Sequence, residues 1–327
     1  AVLDLSWRSD LTFNKNQTVL TNAQGVPNFT NVIANESFSR SSLSLPTFFG
    51  FNLFNNTIEN VVNLYNEQKQ VILASNVDTV TKNQLLLNAL ADAFRKGLEI
   101  PGLFGGDIGR YLPAVNWAIR WEGLEKWGIF QGIGARRISF EHIYTSKYIE
   151  NSLIDDNGRT IQAQQIQQGF QPMIGITMAF DEKIFKGNLT ATARYSSTNA
   201  FQLMSSNRST ITRQSTDEIQ IQASYTLRGF EFPFFNLTIQ NDLEFSFLAS
   251  VKNNVRDTYD VLDYKDEQGR RLDGNTQITI EPRARYAMSN RVSASFFFRY
   301  EGTFTSGAAN PGYSTTQVGL DIRISIA

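Results

Sequence analysis

Apolar and polar residues alternate one by one along much of this chain, most clearly in its second half. In residues 291–304, RVSASFFFRYEGTF, the even positions from Val292 to Tyr300 are all apolar, and the odd positions include Arg291 and Arg299. Successive side chains of a β-strand point to opposite faces of a sheet, so this period of two predicts strands with one apolar and one polar face. The same pattern predicts further strands at 188–204, 216–228, 242–252 and 276–288, and a last one at about 318–326.

Weaker alternation in the first half predicts more strands and brings the total to about eleven. Many are long enough to cross a bilayer, because a tilted transmembrane strand needs about 9–11 residues. The strands predicted in the first half are 1–13, 33–46, 116–122, 136–150 and 166–180.

The predicted connections alternate between short ones and long polar ones. Such alternation is typical of outer-membrane barrels, whose periplasmic turns are short and whose extracellular loops are long. The C-terminal strand is then expected to end on the periplasmic side. The short or compact connections are 181–187, 229–241 and 288–291, and the long ones, rich in Ser, Asn, Asp, Gly and Arg, are 205–215, 253–275 and 305–314.

The composition favours a membrane barrel over a soluble β-sandwich. Hydrophobic residues make up only 41% of the chain and the mean hydropathy is −0.26, yet there are 25 phenylalanines and 11 tyrosines. A soluble sandwich also alternates, but it packs its two apolar faces against each other. Lipid outside and a wet lumen inside explain an aromatic face opposite a charged one. We therefore predict an all-β fold, an antiparallel transmembrane β-barrel.

This interpretation assigns a side to each strand residue. The polar faces carry charges of both signs, which avoids a strong field of one sign inside a channel. Trp7, Trp117, Trp121 and Tyr300 are expected near the membrane interfaces, where amphipathic rings are favoured. The residues predicted to face the lumen are Glu281, Arg283, Arg285, Arg299, Glu301, Asp321 and Arg323, and those predicted to face lipid are Phe245, Phe247, Phe296, Phe298, Tyr300, Ile322 and Ile324.

One segment departs from the alternation. Residues 57–97 have helical spacing, with Thr81 as the predicted N-cap of a helix and Gly97 as its stop. The strands before and after this segment are expected to run in the same direction. Either the insertion crosses the membrane again, for instance inside the lumen, or one strand has been miscounted. The predicted organisation is barrel strands at 1–56, a helical and Gly/Pro-rich insertion at 57–115, and barrel strands at 116–327.

Charge and cysteine content exclude several other classes of protein. With 30 basic and 31 acidic residues the formal net charge is −1, so no basic surface for nucleic acid is indicated. The absence of cysteine excludes disulfides and Cys-ligated metals and suits passage through an oxidising compartment. No run approaches the roughly 18 apolar residues of a transmembrane helix. No signal peptide is visible, so we expect a mature chain or a fragment of a longer one.

Residues that commonly carry catalysis form no convincing site. His142 is the only histidine, and Ser146 on the same strand face would lie about 13 Å away, so His142 is interpreted as a rim or packing residue. The acidic run 155–158 lacks the later Glu of a calcium-binding loop and is expected to be a turn. The Gly-rich run 102–109 lacks the Lys-Ser/Thr of a phosphate-binding loop. We predict no enzyme activity, no cofactor and no metal site.

The stretch 112–148 resembles a known family, the SprA/Sov translocons of the type 9 secretion system in the outer membrane of Bacteroidetes-type bacteria. That family carries a similar N-W-x-I-x-[YW]-[DE]-G-L element, here from Asn116 to Leu124, and a later His-x-Tyr element, here His142 and Tyr144. The resemblance covers most of the chain and aligns with the C-terminal end of a much longer protein. Further similar segments follow in the expected order at 169–180, 241–247 and 278–286.

The resemblance implies that this chain supplies the last strands of a very large barrel. The barrel would be a protein-conducting channel that passes folded cargo from the periplasm to the cell surface. The implied partners are the remaining strands of the barrel, a cargo-shuttling outer-membrane barrel, a periplasmic plug, other type 9 components and the secreted cargo, with membrane lipid and no nucleic acid. Two alternatives stay open. One is a self-contained small porin or transporter, since eleven or twelve strands could close alone; the other is an outer-membrane hydrolase that uses His142.

Overall fold

The structure, a computed structural model, consists mainly of antiparallel β-strands, which confirms the predicted all-β class. No helix in the part of the chain that it describes is long and apolar enough to span a membrane. The described residues are 1–21, 27–45, 57–100, 111–130, 132, 134–155, 158–180, 182–204, 210–227, 230–232, 237–239, 242–266, 269–288, 292–306 and 312–324.

The strands form one large open sheet and one small hairpin. The large sheet has the order β1-β4-β5-β6-β7-β8-β11-β12-β13-β14, with β2 and β3 joined to it beside β5, and β9 pairs with β10 separately. The strands are β1 (Val2–Arg8), β2 (Leu11–Thr21), β3 (Pro27–Ser41), β4 (Asn116–Glu122), β5 (Ala135–Asp155), β6 (Gly158–Phe180), β7 (Asn188–Met204), β8 (Thr210–Leu227), β9 (Phe230–Phe232), β10 (Leu237–Ile239), β11 (Leu243–Asp260), β12 (Arg270–Ala287), β13 (Val292–Thr305) and β14 (Tyr313–Ile324). The helices are α1 (Ile58–Ala74), α2 (Thr79–Leu98) and the short α3 (Glu182–Phe185).

Several strands extend further towards the long connections than the alternation predicted. The predicted loop 253–275 was wrong at both ends, because β11 continues to Asp260 and β12 already starts at Arg270. Most positions on both faces are polar there, with exceptions such as Val255 and Tyr259, so the apolar period is lost while the backbone pairing continues. Side chains add to it: Asn254 Nδ2 donates to Asn275 Oδ1 at 2.9 Å. Similarly, β8 begins at Thr210, inside the predicted loop 205–215, of which 205–209 lie outside the described residues.

The first two positions of the sheet are each built from two strands placed end to end. β5 pairs with β4 over its first part and with β3 over its second, on the same edge. At the junction the Ser42 backbone N–H donates to the Ser146 carbonyl at 3.2 Å, and Trp117 lies opposite Tyr144. Asn116 therefore lies opposite Thr145, the one residue of β5 between Tyr144 and Ser146. Residues 43–115 thus leave the sheet and return to it within one strand position. On the outer side, β1 and β2 likewise follow one another beside β4 and β3.

This arrangement explains the direction of the strands around the insertion. β3 and β4 are both antiparallel to β5 and so run in the same direction, as the sequence predicted. The reason is the miscounted strand, because the two are halves of one strand position. In the described residues the large sheet thus has twelve strands at ten strand positions, where the sequence predicted about eleven strands. The predicted strand 1–13 is part of a longer line formed by β1 and β2.

The two long helices confirm the predicted helical segment 57–97 to within one residue at each end, but not the predicted cap and stop of its second helix. The N-cap of α2 is Asp78, whose carboxylate accepts the N–H groups of Val80 at 2.9 Å and Thr81 at 3.0 Å. Hydrogen bonds from Thr81 lower the pKa of Asp78. Thr81 is therefore a donor in the first turn, and its prediction as the cap was wrong. Gly97 does not stop the helix either, because α2 continues to Leu98 and Gly97 packs directly against Val61 of α1.

The helix pair, α1 and α2, covers one end of the sheet, near the long connections. Its contact side is apolar and includes Val61, Ala93 and Phe94, each fully buried. The sheet contributes residues from β3 to β11 to the same core. The sheet residues of this core are Phe38, Tyr148, Ile166, Phe201, Leu203, Ile211 and Tyr259, together with Val261 just beyond β11.

Candidate functional site: the two faces of the sheet

Cross-strand pairing joins the aromatic rows of neighbouring strands into one continuous surface, here called the apolar face. At one level of the sheet, Phe245 lies opposite Ala284, Ala284 opposite Phe296, and Phe296 opposite Leu320. The same register places every residue predicted to face lipid on this face and every residue predicted to face the lumen on the other, the polar face. The residues that share the apolar face are Phe245, Phe247, Phe296, Phe298, Tyr300, Ile322 and Ile324.

Much of the apolar face is uncovered in the described residues. Leu320 is 67% exposed and Phe296 51%, although both are large and apolar. Along β11 the apolar row runs from Leu243 to Val251, which is about 27 Å at about 3.4 Å per residue. This length is close to the apolar band of an outer-membrane barrel, about 25 Å tall. We call this uncovered part the apolar band. Its other exposed members are Ile174, Ile219, Ile221, Phe245, Phe247, Val251, Ile280, Val318, Ile322 and Ile324.

The apolar band ends at a border of aromatic and polar residues. Beyond Val251 the next residue of β11 on this face is Asn253, which lies opposite Asp217 of β8. Tyr195 donates to that carboxylate at 3.3 Å. At the same border in the first strands, Trp7 lies opposite Trp117. Two of the rings predicted for a membrane interface are therefore neighbours at the edge of the band.

The helix pair lies on the apolar face, beyond this border. On β7, Phe201 and Leu203 are buried under the helices, and they share a face with Ala193 of the apolar band because strand residues two apart point the same way. Ile211 of β8 lies opposite Leu203 and is covered in the same way. The helices therefore stand on the side of the sheet opposite to the polar face.

Opposite charges on the polar face pair with one another. Glu281 accepts from Arg283 at 2.9 Å, and its other oxygen lies 3.5 Å from Nε of Arg299. Arg299 also contacts Glu301 at 2.5 Å, and Arg285 lies 3.5 Å from Glu244 of β11. These groups are partly exposed, so each pair adds little stability. Their effect is to leave the face hydrated with little net field.

A second set of charges on the polar face was missed by the sequence analysis. Glu141 of β5 contacts Arg120 of β4 at 3.1 Å and Arg194 of β7 at 3.7 Å. The second contact passes over β6, where Gly175 lies opposite both Glu141 and Arg194 and has no side chain to block it. The polar positions were visible in the alternation, but only the register brings these three together.

A buried polar network under the helix pair was also missed. Arg40 of β3 and Glu99, the C-cap residue that follows α2, form an ion pair at 2.7 Å with side chains only 5% and 8% exposed. Burial raises the pKa of Glu99, and Arg40 and Arg95 offset only part of this effect. Nearby, the Tyr148 hydroxyl and Gln164 both donate to the buried carboxylate of Glu150. The ion pair of Arg40 with Glu99 joins residues 59 positions apart in sequence, so no local pattern predicts it.

His142 has a packing environment in this structure. Its Nδ1 lies 2.7 Å from the Met173 carbonyl, and its ring lies 5.1 Å from that of Phe170. Ser146 Oγ instead lies 2.6 Å from Ser42 Oγ. The two side chains have separate partners, so the hydrolase alternative gains no support from this geometry.

The remaining candidate runs lie at the edge of the described chain or outside it. Asp155 pairs with Gly158 across the turn between β5 and β6, and residues 156–157 of that acidic run lie outside the described residues. The Gly-rich run 102–109 lies outside them as well. Within the described ranges no cluster of three or more His, Asp or Glu side chains is placed to hold a metal ion.

The geometry defines a class rather than a particular protein. The chain is an all-β protein whose open antiparallel sheet has one apolar and one charged face and carries a helical insertion on the apolar side. No protein-family model matches the chain, and no curated protein sequence matches it either.

Proposed function

We propose that this chain forms part of the wall of a transmembrane β-barrel in a bacterial outer membrane. The observation that carries the proposal is the uncovered apolar band, which continues across neighbouring strands and has nearly the height of a bilayer core. Soluble monomers rarely expose a contiguous apolar patch of more than a few hundred Å². On the opposite face the side chains are charged and paired, which suits contact with water. The apolar face would meet lipid and the polar face a lumen.

The position of the helix pair then follows from the face it occupies. It would stand outside the wall, beyond the apolar band, and not within the lumen. It lies near the turn between β5 and β6, because Gln84 of α2 donates to Thr160 at 3.4 Å. Measured from the border of the apolar band, the segments that join the strands at this end are long, as between Asn253 and Asn275, so the helices would lie on the cell-surface side.

We further propose that the wall belongs to a protein-conducting channel of the type 9 secretion system. The support is the resemblance of several ordered sequence segments, together with a polar face on which opposite charges are paired. Such a face offers passing proteins little net attraction for either sign of charge. The sheet also has open edges, at β1–β2 and at β14, where further strands can pair.

Deletion of the gene in a type 9-secreting bacterium tests this function. We expect type 9 cargo to accumulate in the periplasm and to return to the cell surface when the gene is restored. Restoration with an Ile280→Arg variant, which places a charge in the apolar band, is expected to fail. Normal surface display of cargo in the deletion strain would contradict the proposal.

The ten strand positions also favour a second candidate, a self-contained small porin. Bacterial barrels of a single chain have an even number of strands, and ten is within their range. A porin predicts that the 327-residue chain refolds in detergent as a heat-modifiable monomer and makes vesicles permeable to small solutes. Failure of the isolated chain to close, combined with loss of cargo export in the deletion strain, would favour the large channel.

A further inference from the structure

A groove runs along β12 within the apolar band. Its floor consists of two small residues, Ala284 and Pro282. Phenylalanines of the adjacent strands flank it, Phe245 and Phe247 on β11 and Phe296 and Phe298 on β13. The two rows of rings stand on strands on either side of β12, so they are about 10 Å apart at two strand spacings. The groove has a volume of about 390 Å³.

Pro282 makes this part of the sheet unlike its surroundings. The pairing of β12 with β13 has a gap at Pro282. The gap lies between the residue pair Ile280–Tyr300 and the residue pair Arg283–Phe297, and it arises because proline has no N–H to donate. The proline ring is also compact, so it leaves space between the flanking phenylalanines. The charged side chain of Arg283 lies on the other face, with its guanidinium 5.5 Å from the ring of Phe297.

We propose that this groove binds one acyl chain of a bilayer phospholipid. The inference rests on the proposed membrane location, because the groove is continuous with the apolar band that would face lipid. The flanking phenylalanine side chains are hydrocarbon. An acyl chain is hydrocarbon too, so its binding there would leave no polar group without a hydrogen-bond partner. The shape is a trough between two ridges, which suits a flexible chain better than a folded protein surface.

The size of the groove fits this occupant. Along β12 the flanked floor extends from Pro282 to Ala284, about 7 Å at about 3.4 Å per residue. The groove therefore holds a short segment of one acyl chain. An acyl chain is expected to stay bound in such a groove for a longer time than on a smooth surface, because the groove contacts it from three sides.

Photocrosslinking with a labelled lipid tests the proposal directly. The full chain is reconstituted into phosphatidylethanolamine vesicles that contain a small fraction of phospholipid with a diazirine in its acyl chain. After illumination, labelled peptides are mapped. We expect peptides from β11, β12 and β13 that line the groove to be labelled at least about threefold more than β14. β14 is the more exposed strand, so simple exposure predicts the reverse order.

Two variants and a matched control complete the experiment. Ala284→Phe, or the smaller Ala284→Leu, fills the floor of the groove and is expected to reduce its labelling to the level of β14. Leu320→Phe adds as many carbon atoms to the band outside the groove as Ala284→Leu adds inside it, and it is expected to leave the pattern unchanged. Folding of each variant is checked by heat-modifiable gel migration, and the variant that folds is used.

The outcomes separate this inference from the proposed function. Labelling of the band in proportion to exposure would contradict acyl-chain binding in the groove. Labelling that does not change after Ala284→Phe or Ala284→Leu would contradict it as well. Neither result would contradict the proposed membrane location. Protein–protein crosslinks at the groove in place of lipid adducts would also overturn it. Absence of labelling on every strand would overturn the membrane location, and the groove with it.

Discussion

At the scale of residues, the ion pair between Arg40 and Glu99 ties the helical insertion to the sheet. Arg40 belongs to β3 and Glu99 is the C-cap residue of α2, and both side chains are buried. Removing two charges from water is costly, so such a pair stabilises a fold only while both partners are present. Loss of one partner is much more damaging than loss of both.

Replacement of Arg40 by methionine is expected to release the helix pair. Glu99 would then be a buried charge without its main partner, at a cost of about 3–5 kcal/mol. Hydrogen exchange of amides in α1 and α2 measures this loss. The double variant Arg40→Met/Glu99→Leu should recover most of the protection. Arg8→Met, which breaks an exposed ion pair, is the control and should change stability by less than about 1 kcal/mol.

The stability of the helix pair should depend on pH through Glu99. Burial raises the pKa of Glu99, so the folded protein binds a proton there more tightly than the unfolded chain does. The contribution of this group to stability therefore grows as pH falls through the raised pKa towards the ordinary value of about 4.3. The advantage of the wild type over Glu99→Gln should be larger at about pH 5 than at about pH 8. Hydrogen exchange of α2, corrected for its intrinsic pH dependence, measures it, and an advantage that shrinks on acidification would contradict the raised pKa.

At the scale of elements, the two long helices meet at a glycine. A Cβ atom on Gly97 would lie 2.5 Å from Cγ2 of Val61 and 2.7 Å from its backbone nitrogen. The helices can therefore approach each other closely only because residue 97 has no side chain. A helix stop and a packing glycine look alike in a sequence, since both are glycines near the end of an apolar period.

Gly97→Ala is expected to destabilise the helix pair. Alanine favours a helix by about 1 kcal/mol over glycine, but overpacking against α1 costs about 1–3 kcal/mol. Thermal melting and hydrogen exchange of the helices should both show a net loss. Gly128→Ala is a suitable control, because a Cβ there has nothing within 4 Å. A Gly97→Ala variant at least as stable as the wild type would contradict the close helix contact.

The strand that residues 43–115 interrupt should be restored by deleting them. Joining Ser42 to Asn116 keeps every pair with β5 on both sides, because the two residues already lie opposite neighbouring positions. We expect the shortened chain to keep its strand content by circular dichroism and its heat-modifiable migration. Joining Ser41 to Asn116 is the control. That chain is one residue shorter, which would turn the side chains of β4 to the opposite face and prevent pairing.

Local sequence patterns predicted the strands well wherever one face is apolar. The bounds predicted for β7, 188–204, are those of the structure. The alternation failed in the outer parts of β8, β11 and β12, where apolar residues such as Ile211 and Tyr259 are too few to show a period of two. It also could not reveal that β3 and β4 share one strand position, because that depends on their pairing with β5.

At the scale of the whole molecule, the sheet separates apolar from charged side chains within the apolar band, while beyond the border of the band charged residues such as Arg40 and Glu150 lie on the same face, under the helix pair. The sequence predicted the members of each face, because the assignment needs only the period of two. It could not predict which charges pair, because Glu141 and Arg194 come together only through the register of three strands. It also could not predict on which face the helix pair lies. Which face meets lipid is a proposal that substitutions on the two faces can test.

Arginine substitutions at adjacent positions of β12 test the orientation of the sheet. Ile280 lies in the apolar band and Thr279 on the polar face, opposite Glu301. Ile280→Arg should lower the stability of the membrane-inserted protein by about 2–4 kcal/mol. Thr279→Arg should change it little, because the new charge would meet water and Glu301. Urea unfolding in vesicles measures both, and equal effects would mean that the two faces have similar surroundings.

The single junction through which residues 43–115 depart has a consequence for engineering and for evolution. The chain exits and returns at neighbouring backbone sites, so any compact cargo domain with adjacent termini has a ready attachment point there. A fluorescent reporter or an antigen grafted between Ser42 and Asn116 would be held beside the sheet while the strands on either side stay in place. By the same route, a sheet of this kind can exchange one inserted module for another without any change in the strands that carry it.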